Sequence, residues 1–383
     1  MKRLPHIVLC FTAIFLVAAD AKDEQGASSA TQIRQWIKQL GDDEFKIREK
    51  ATQHLMDAGS GAIAVVTVAA KSEDPEVKQR ASMILRHLEK VITHFIMLGG
   101  IVTIDEDSPG KPVIGLNLED TNLDDAGLVY LKGHTSLRRL NLRRTKITDA
   151  GLVNLKELTG LGELDFYGTN ITGAGLVHLK GLTGLRTLRL FRTIGTDAGM
   201  VHLKGLTELR NLDLDGTDIT DKGLSHLKGH TKLWRLYLNH TKLTDAGLVH
   251  LEGLTKLQVL NLVDTKITDD GLAHLKGFSK LEVLSLNDTK VTGAGLAHLK
   301  GMKNLRTLHL SNTKVTDPGL AHLQGLAKLQ TLFLADTQVT DAGLAHLQGL
   351  TELKVLDLHD TQVTSEGAAK LKKILPKCRI FHY

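Results

Sequence analysis

Leucine and its aliphatic stand-ins recur along most of this chain at one fixed spacing. Leu257, Leu260, Leu262 and Ile267 are followed by Leu281, Leu284, Leu286 and Val291, and the unit reads L-x-x-L-x-L-x-x-T-x-I-T-D-A-G-L-x-H-L-K-G-L-T-x. One glycine marks the register. It stands at 127 and then every 24 residues to 367, giving eleven copies without an insertion. In L-x-L the leucines alternate with single variable residues, the period of a strand with one buried face. The T-D-A-G-L-x-H-L stretch changes to helical spacing, with Leu152, Leu155 and Leu158 on one side. Thr148 and its counterparts suit a helix N-cap, and the glycine of L-K-G suits the stop. One copy cannot cover its own leucines, so copies must stack and bury them jointly. The pattern predicts a parallel sheet of eleven strands with helices outside it.

Upstream, residues 22–97 carry helical spacing instead. Ser28 and Ser29 can cap a helix running to about Leu40, with Gly41 as its stop. Asp42 and Asp43 open a second, with Phe45, Ala51, Leu55 and Met56 as candidates for one apolar face. A third covers about 62–71. Asp74-Pro75-Glu76 combines an N-cap acid, a proline in the first turn and a second acid, and opens a fourth helix. That helix carries Val77, Ala81, Ile84, Leu85, Leu88 and Val91, spaced three and four apart. Residues 98–112 then read as a hairpin-like cap that leads into the array at 113 and covers its first edge. At the far end Pro376 and Lys377 replace the strand opening and Ile380 fills the next leucine position, which gives the array of 113–383 a C-terminal cap.

The first residues change the setting. Lys2 and Arg3 precede an apolar run from Ile7 to Ala19, and Ala19-Asp20-Ala21 follows as a small-x-small cleavage pattern. This is the anatomy of a signal peptide over 1–21, and the run is short for a membrane span. The expectation is an exported chain, periplasmic or extracellular, with no membrane span once the leader is removed. Cys10 leaves with the leader, so Cys378 remains alone and no intrachain disulfide can form. Cys378 is expected to be a packing residue. Of 383 residues 42% are hydrophobic, 24% charged and only 4% aromatic, which excludes wholesale disorder and calls for an aliphatic core. A formal charge of +5 is a mild excess over this length and a weak pull toward polyanions; no nucleic-acid partner is expected.

The repeats resemble the leucine-rich repeat family over 113–383. That resemblance implies an α/β fold: a right-handed solenoid with a concave parallel β-sheet and convex helices, here preceded by a small α-helical segment. Where many such proteins place an inward asparagine, this chain has Thr121, Thr145, Thr169 and on to Thr361, expected to form a buried hydroxyl ladder bonded to loop backbone. The I-T-D-A-G-L motif is similar to repeats attached to F-boxes in ubiquitin-ligase adaptors and to internalin-like repeats. Over the whole chain the likeness is to exported repeat proteins of planctomycete-type bacteria. L-G-D-D-E-F-K-I-R-E-K-A-T-Q-H-L-M-D-A-G and S-E-D-P-E-V-K-Q-R-A-S-M-I-L-R-H-L-E together resemble a pair of HEAT-like helical repeats.

Catalytic and nucleotide motifs are missing: there is no G-x-x-x-x-G-K-[ST], H-E-x-x-H or G-x-S-x-G. Histidine recurs at 178, 202, 226, 250, 274, 298, 322 and 346, at the flank of the leucine stripe where it meets the next repeat. No acid or cysteine recurs beside it, so it is read as packing rather than as a metal ladder; neither cofactor nor metal is implied. Information sits at the outward strand positions, which vary from copy to copy. The candidate partner-binding residues are Arg139, Arg143, Arg144, Tyr167, Arg189, Phe191, Arg192, Arg235 and Tyr237. Neighbouring copies of one position lie about 4.8 Å apart, so Arg143, Tyr167 and Phe191 should form a continuous row. Arginine beside exposed aromatics is the composition of interface hot spots. The bland alternative is a self-satisfied charge ladder, since Asp165, Arg189 and Asp213 alternate in sign. The expected function is a non-enzymatic scaffold that binds a protein through its concave face. The alternatives are a ubiquitin-ligase-type substrate adaptor and binding of a polyanion or glycan by the arginines.

Overall fold

Each repeat folds its L-x-L segment into a three-residue strand, and the strands pair in chain order in this computed structural model, which describes residues 26–58, 62–108 and 112–382. The leader expected over 1–21 lies outside the described residues. The strands are β1 (Ile101–Ile104), β2 (Val113–Asn117), β3 (Arg139–Asn141), β4 (Glu163–Asp165), β5 (Thr187–Arg189), β6 (Asn211–Asp213) and β7 (Arg235–Tyr237). They continue as β8 (Val259–Asn261), β9 (Val283–Ser285), β10 (Thr307–His309), β11 (Thr331–Phe333), β12 (Val355–Asp357) and β13 (Arg379–Phe381). All thirteen form one sheet. From β2 onward the pairing is parallel and steps by one repeat, so Leu140 faces Leu164 and Leu164 faces Leu188. The eleven expected strands gain one at each end. β1 pairs antiparallel with β2, with Val102 opposite Leu116, and β13 pairs parallel with β12, with Ile380 opposite Leu356.

The convex side is less helical than the spacing predicts. A typical copy has one α-turn, Asp245–Leu248, that tightens into a 3₁₀ turn, Val249–Leu251. Others, such as Gly151–Leu155 and Gly175–Leu179, are 3₁₀ throughout. A 3₁₀ turn rises about 2.0 Å per residue against about 1.5 Å for an α-helix, so it crosses the back of the repeat with fewer residues. The leucines of both sides meet in a continuous core from Val91 to Cys378. Above it runs the threonine ladder: Thr265 Oγ1 donates to Leu262 O at 2.7 Å, and the same bond is made from Thr121 to Thr361. Cys378 is fully buried, and burial pushes its thiol up to about 11.

A second ladder joins the repeats on the convex side. Asp149 Oδ1 accepts the Thr172 N–H at 2.7 Å, and its other oxygen accepts the Thr172 hydroxyl. The pattern recurs wherever the T-D-A-G aspartate is present, for example from Asp245 to Thr268 and from Asp317 to Thr340. Thr148 and its counterparts are therefore more than caps: they receive the previous repeat.

Among the described residues four helices precede the sheet: α1 (Gly26–Gln39), α2 (Phe45–Asp57), α3 (Ile63–Ala69) and α4 (Pro75–Met97). The chain is already helical at Gly26, so Ser28 and Ser29 lie inside α1 and do not start it. Phe45 does not join the apolar face of α2. At 100° per residue it points roughly 120° away from Ala51. It is 61% exposed, with the Arg48 and Arg80 guanidiniums 5.7 and 5.8 Å from its ring. Asp74 caps α4 as Asp-Pro-Glu predicts, accepting from Glu76 N at 2.9 Å and Val77 N at 3.1 Å. The first turns of α4 bury Ala81, Ile84 and Leu88 against Leu40, Leu55 and Val66. Its last turns bury Val91 and Phe95 in the core of the array. One helix thus belongs to both cores.

Candidate functional site

The parallel register aligns outward side chains into rows along the concave sheet. One row runs Asn141, Asp165, Arg189, Asp213 and Tyr237. Two positions further along each repeat, Glu119, Arg143, Tyr167, Phe191 and Asp215 stand in the same order. In this second row the Arg143 guanidinium lies 4.6 Å from the Tyr167 ring centroid, and the Tyr167 and Phe191 rings are 4.9 Å apart at 40°. The Arg192 guanidinium covers Phe191 at 5.2 Å, and Arg144 stands 5.8 Å from Tyr167. Both rings are half-buried by these neighbours rather than standing free in water.

Other candidates fall nearby or apart. Arg189 reaches the Asp165 carboxylate at 3.4 Å. With Arg139, Asn117 and Asn141 it lines a cavity of about 240 Å³ at Gly115, where a side chain is missing from the row. Arg235 leaves the group and stacks on Trp234 at 4.6 Å. Tyr237 lies two strands beyond Phe191.

The arginines differ in how their charge is answered. Arg143 meets Glu119 at 3.3 Å, and Arg144 meets both Glu119, at 3.0 Å, and Asp120. The Arg144 hydrogen bond holds the Asp120 carboxyl below its ordinary value. Arg192 is exposed and has no ion-pair partner among the described residues. Yet both Arg144 and Arg192 sit in the left-handed region, at φ 51° and 54°. Equivalent positions hold Gly168, Gly216, Asp264, Asp288 and Asn312, the residue types that tolerate that backbone. An arginine there costs about 1–2 kcal/mol. Two carboxylates offset the cost at Arg144. At Arg192 the described residues supply an aromatic face and no carboxylate, and that face is worth about 0.5–1 kcal/mol at an exposed site.

Below the arginines the acids are sheltered. Burial raises Asp165, Asp213 and Asp215, and Asp213 reaches about 6. The alternating ladder is thus only partly formed, with Arg189 bonded to Asp165.

The repeat histidines are half-buried between neighbouring copies, where His274 Nδ1 meets Glu252 at 2.7 Å and His346 Nδ1 meets Gln324 at 3.3 Å. Among the described residues no three His, Cys, Asp or Glu side chains gather as metal ligands would. Two further histidines escaped the sequence reading. His134 and His230 occupy the buried position that Leu158 and Leu182 hold in other copies. His230 places Nε2 3.1 Å from Leu203 O and Nδ1 3.3 Å from Leu227 O. His134 has no partner for Nδ1 among the described residues, and burial, with His87 nearby, pushes it down to about 4.

A second aromatic set at the far end of the concave sheet was also missed. His309 and Phe333 stack at 4.7 Å and 9°, and His359 and Phe381 face each other at 6.1 Å and 22°. Its members are visible among the varying outward positions, but no run of arginines draws attention to them.

Leucine rich repeat models match residues 255–315 and 279–339, and a second model of the same description matches 133–156 and 206–228. Among solved structures, an internalin (inlF) of Listeria monocytogenes is 21% identical with a TM-score of 0.54, covering 76% of this chain and 93% of that one. That likeness shows the fold. Internalin C2 of the same organism is 29% identical with a TM-score of 0.47, covering 61% of this chain and 92% of that one. A leucine-rich repeat protein of Leptospira interrogans is 19% identical with a TM-score of 0.46, covering 66% and 74%. No curated protein matches the sequence.

Proposed function

We propose that this chain, a leucine-rich repeat protein, binds a partner protein through the N-terminal half of its concave sheet, centred on Phe191 and Arg192. Proteins of this family generally act as protein-interaction scaffolds, and we read this one as a non-enzymatic member. The observation that carries the reading is Arg192. It holds an unfavourable backbone and an exposed charge over an aromatic ring, with no carboxylate among the described residues to answer it. A partner that supplies the carboxylate and covers Phe191 would recover both costs. Tyr167, Arg143, Arg144, Arg139 and Arg189 complete the contact set, with Arg235 and Tyr237 at its outer edge.

The interleaved acids favour a protein over a polyanion or glycan. Glu119, Asp120 and Asp165 already pair with Arg143, Arg144 and Arg189, so a uniformly anionic chain would meet repulsion as well as attraction. The leader pattern of residues 1–21 supports a periplasmic or extracellular setting. The packing of α1 on α2 and of α3 on α4 supports a HEAT-like segment over 22–97. The test is affinity capture from the exported fraction with the intact array and with Arg192→Ala and Phe191→Ala. Capture that both variants lose, while each stays folded, supports the reading. Capture that instead collapses steeply with added salt, and survives Phe191→Ala, supports polyanion binding.

A further inference from the structure

The concave rings share a habit. Tyr167 carries the Arg143 guanidinium at 4.6 Å, Phe191 carries Arg192 at 5.2 Å and Phe381 carries Arg379 at 5.4 Å. Phe333 has no such cation among the described residues. His309 covers one of its faces, 4.7 Å away and nearly parallel. That separation equals one strand spacing, so both rings stand across the solenoid axis. The second face of Phe333 must therefore look along the axis toward the next repeat. What stands there is Asp357, its register partner on β12. Asp357 Oδ1 accepts the His359 N–H at 3.2 Å and also meets the His359 ring, and Oδ2 has no partner among the described residues. Beyond Asp357 the same row reaches Phe381.

We propose that the second face of Phe333 and the Asp357 Oδ2, which has no partner among the described residues, form a subsite for a guanidinium supplied by the bound protein. Two strand spacings, about 9.6 Å, separate Phe333 from Phe381 across Asp357. A planar guanidinium laid on Phe333 stays within about 6 Å of the ring centroid and turns its N–H edge to the carboxylate. Arg379 on Phe381 is the same contact made within the chain. The rim reinforces the choice of a cation: Asp336 and Asp360 are exposed beside this end, where Arg144 and Arg192 stand at the other. Tyr237 also lacks an arginine, but burial raises the carboxyl of its neighbour Asp213 to about 6, which weakens it as a counter-ion. The concave face is then polarised, arginine-rich at β3–β5 and cation-seeking at β11–β13.

The partner's identity as a protein rests on the reading above, but the subsite is tested without it. The probe is N-acetyl-L-arginine amide, titrated into the full chain while the His309 ring resonances are followed by NMR, with the citrulline amide as the uncharged control of the same shape. The expected result is a saturable shift with arginine and none with citrulline. Phe333→Leu keeps an apolar side chain and Asp357→Asn keeps the shape, and each should weaken the probe by about two- to fivefold. An equal response to citrulline, no saturable shift, or unchanged affinity in both variants overturns the subsite. Those failures leave partner capture through Phe191 and Arg192 untouched, because that capture is read in a separate assay.

Discussion

Asp221 and Gly247 are locked together across a repeat boundary. Asp221 Oδ1 accepts the Thr244 N–H at 2.9 Å, Oδ2 accepts its hydroxyl at 2.6 Å, and a Cβ on Gly247 would lie 2.4 Å from that same Oδ1. A carboxylate held on both oxygens cannot step aside, so the repeat glycine is fixed by the aspartate of the copy before it. Where that aspartate is replaced by Gly173 or Gly293, the chains close further, and a Cβ on Gly199 or Gly319 would meet glycine Cα at 2.5 or 2.3 Å.

Gly247→Ala should therefore destabilise by about 1–3 kcal/mol, although alanine is the better helix former. Adding Asp221→Ala removes the obstacle, so the double variant should lose clearly less than the sum of the two single losses. Denaturant unfolding of the four-member cycle measures this coupling. Strict additivity would mean that the two residues do not meet.

His134 predicts a pH dependence. In the unfolded chain it takes up a proton near 6.5; in the fold burial holds it to about 4. The unfolded state then binds more protons between those values, so stability falls as pH drops from about 6.5 toward 4. The full shift is worth about 3 kcal/mol. Replacing His134 by the leucine that other copies use should raise stability at pH 7.5 and raise it more at pH 5. Equal gains at the two pH values would show that His134 is protonated alike in both states.

Leu260 is fully buried. Leu260→Ala should cost about 2–5 kcal/mol in a chemical melt. A change within about 0.5 kcal/mol would place the side chain outside the core.

The half-buried repeat histidines make a further prediction. If they are packing residues, zinc leaves the melting temperature unchanged. A zinc-dependent rise that disappears when His250 and His274 are replaced together would make them ligands.

What was legible in the sequence is what the period controls. It placed Leu260 and Leu262 inward, set the threonine hydroxyls on loop carbonyls, and brought Arg143, Tyr167 and Phe191 into one row. The clamp of Asp221, Thr244 and Gly247 was less visible because each residue has an adequate local reason: an acid in a first turn, a cap and a small helix residue. Its signal is a spacing of 23 and 26 residues between copies, not within one. The left-handed backbone at Arg192 is a property of the turn rather than of arginine. The glycines at 168 and 216, which occupy the same place, were the clue. Phe45 misled because it opens α2 about 120° round from the fully buried Ala51, on the side of the half-buried Met56 rather than on the buried stripe. His134 and His230 were hidden among repeat histidines that lie elsewhere in the unit.

The most direct test of the central claim is the affinity of the captured partner for the intact array and for Arg192→Ala, Phe191→Ala and Tyr167→Ala, each with its melting temperature measured alongside. Each variant should weaken binding by more than about 1 kcal/mol while the free chain stays folded, with only a small drop in melting temperature where a ring of the stacked pair is removed. Unchanged affinity accompanied by a loss of stability would contradict the account and make the Tyr167–Phe191 row a structural feature of the sheet.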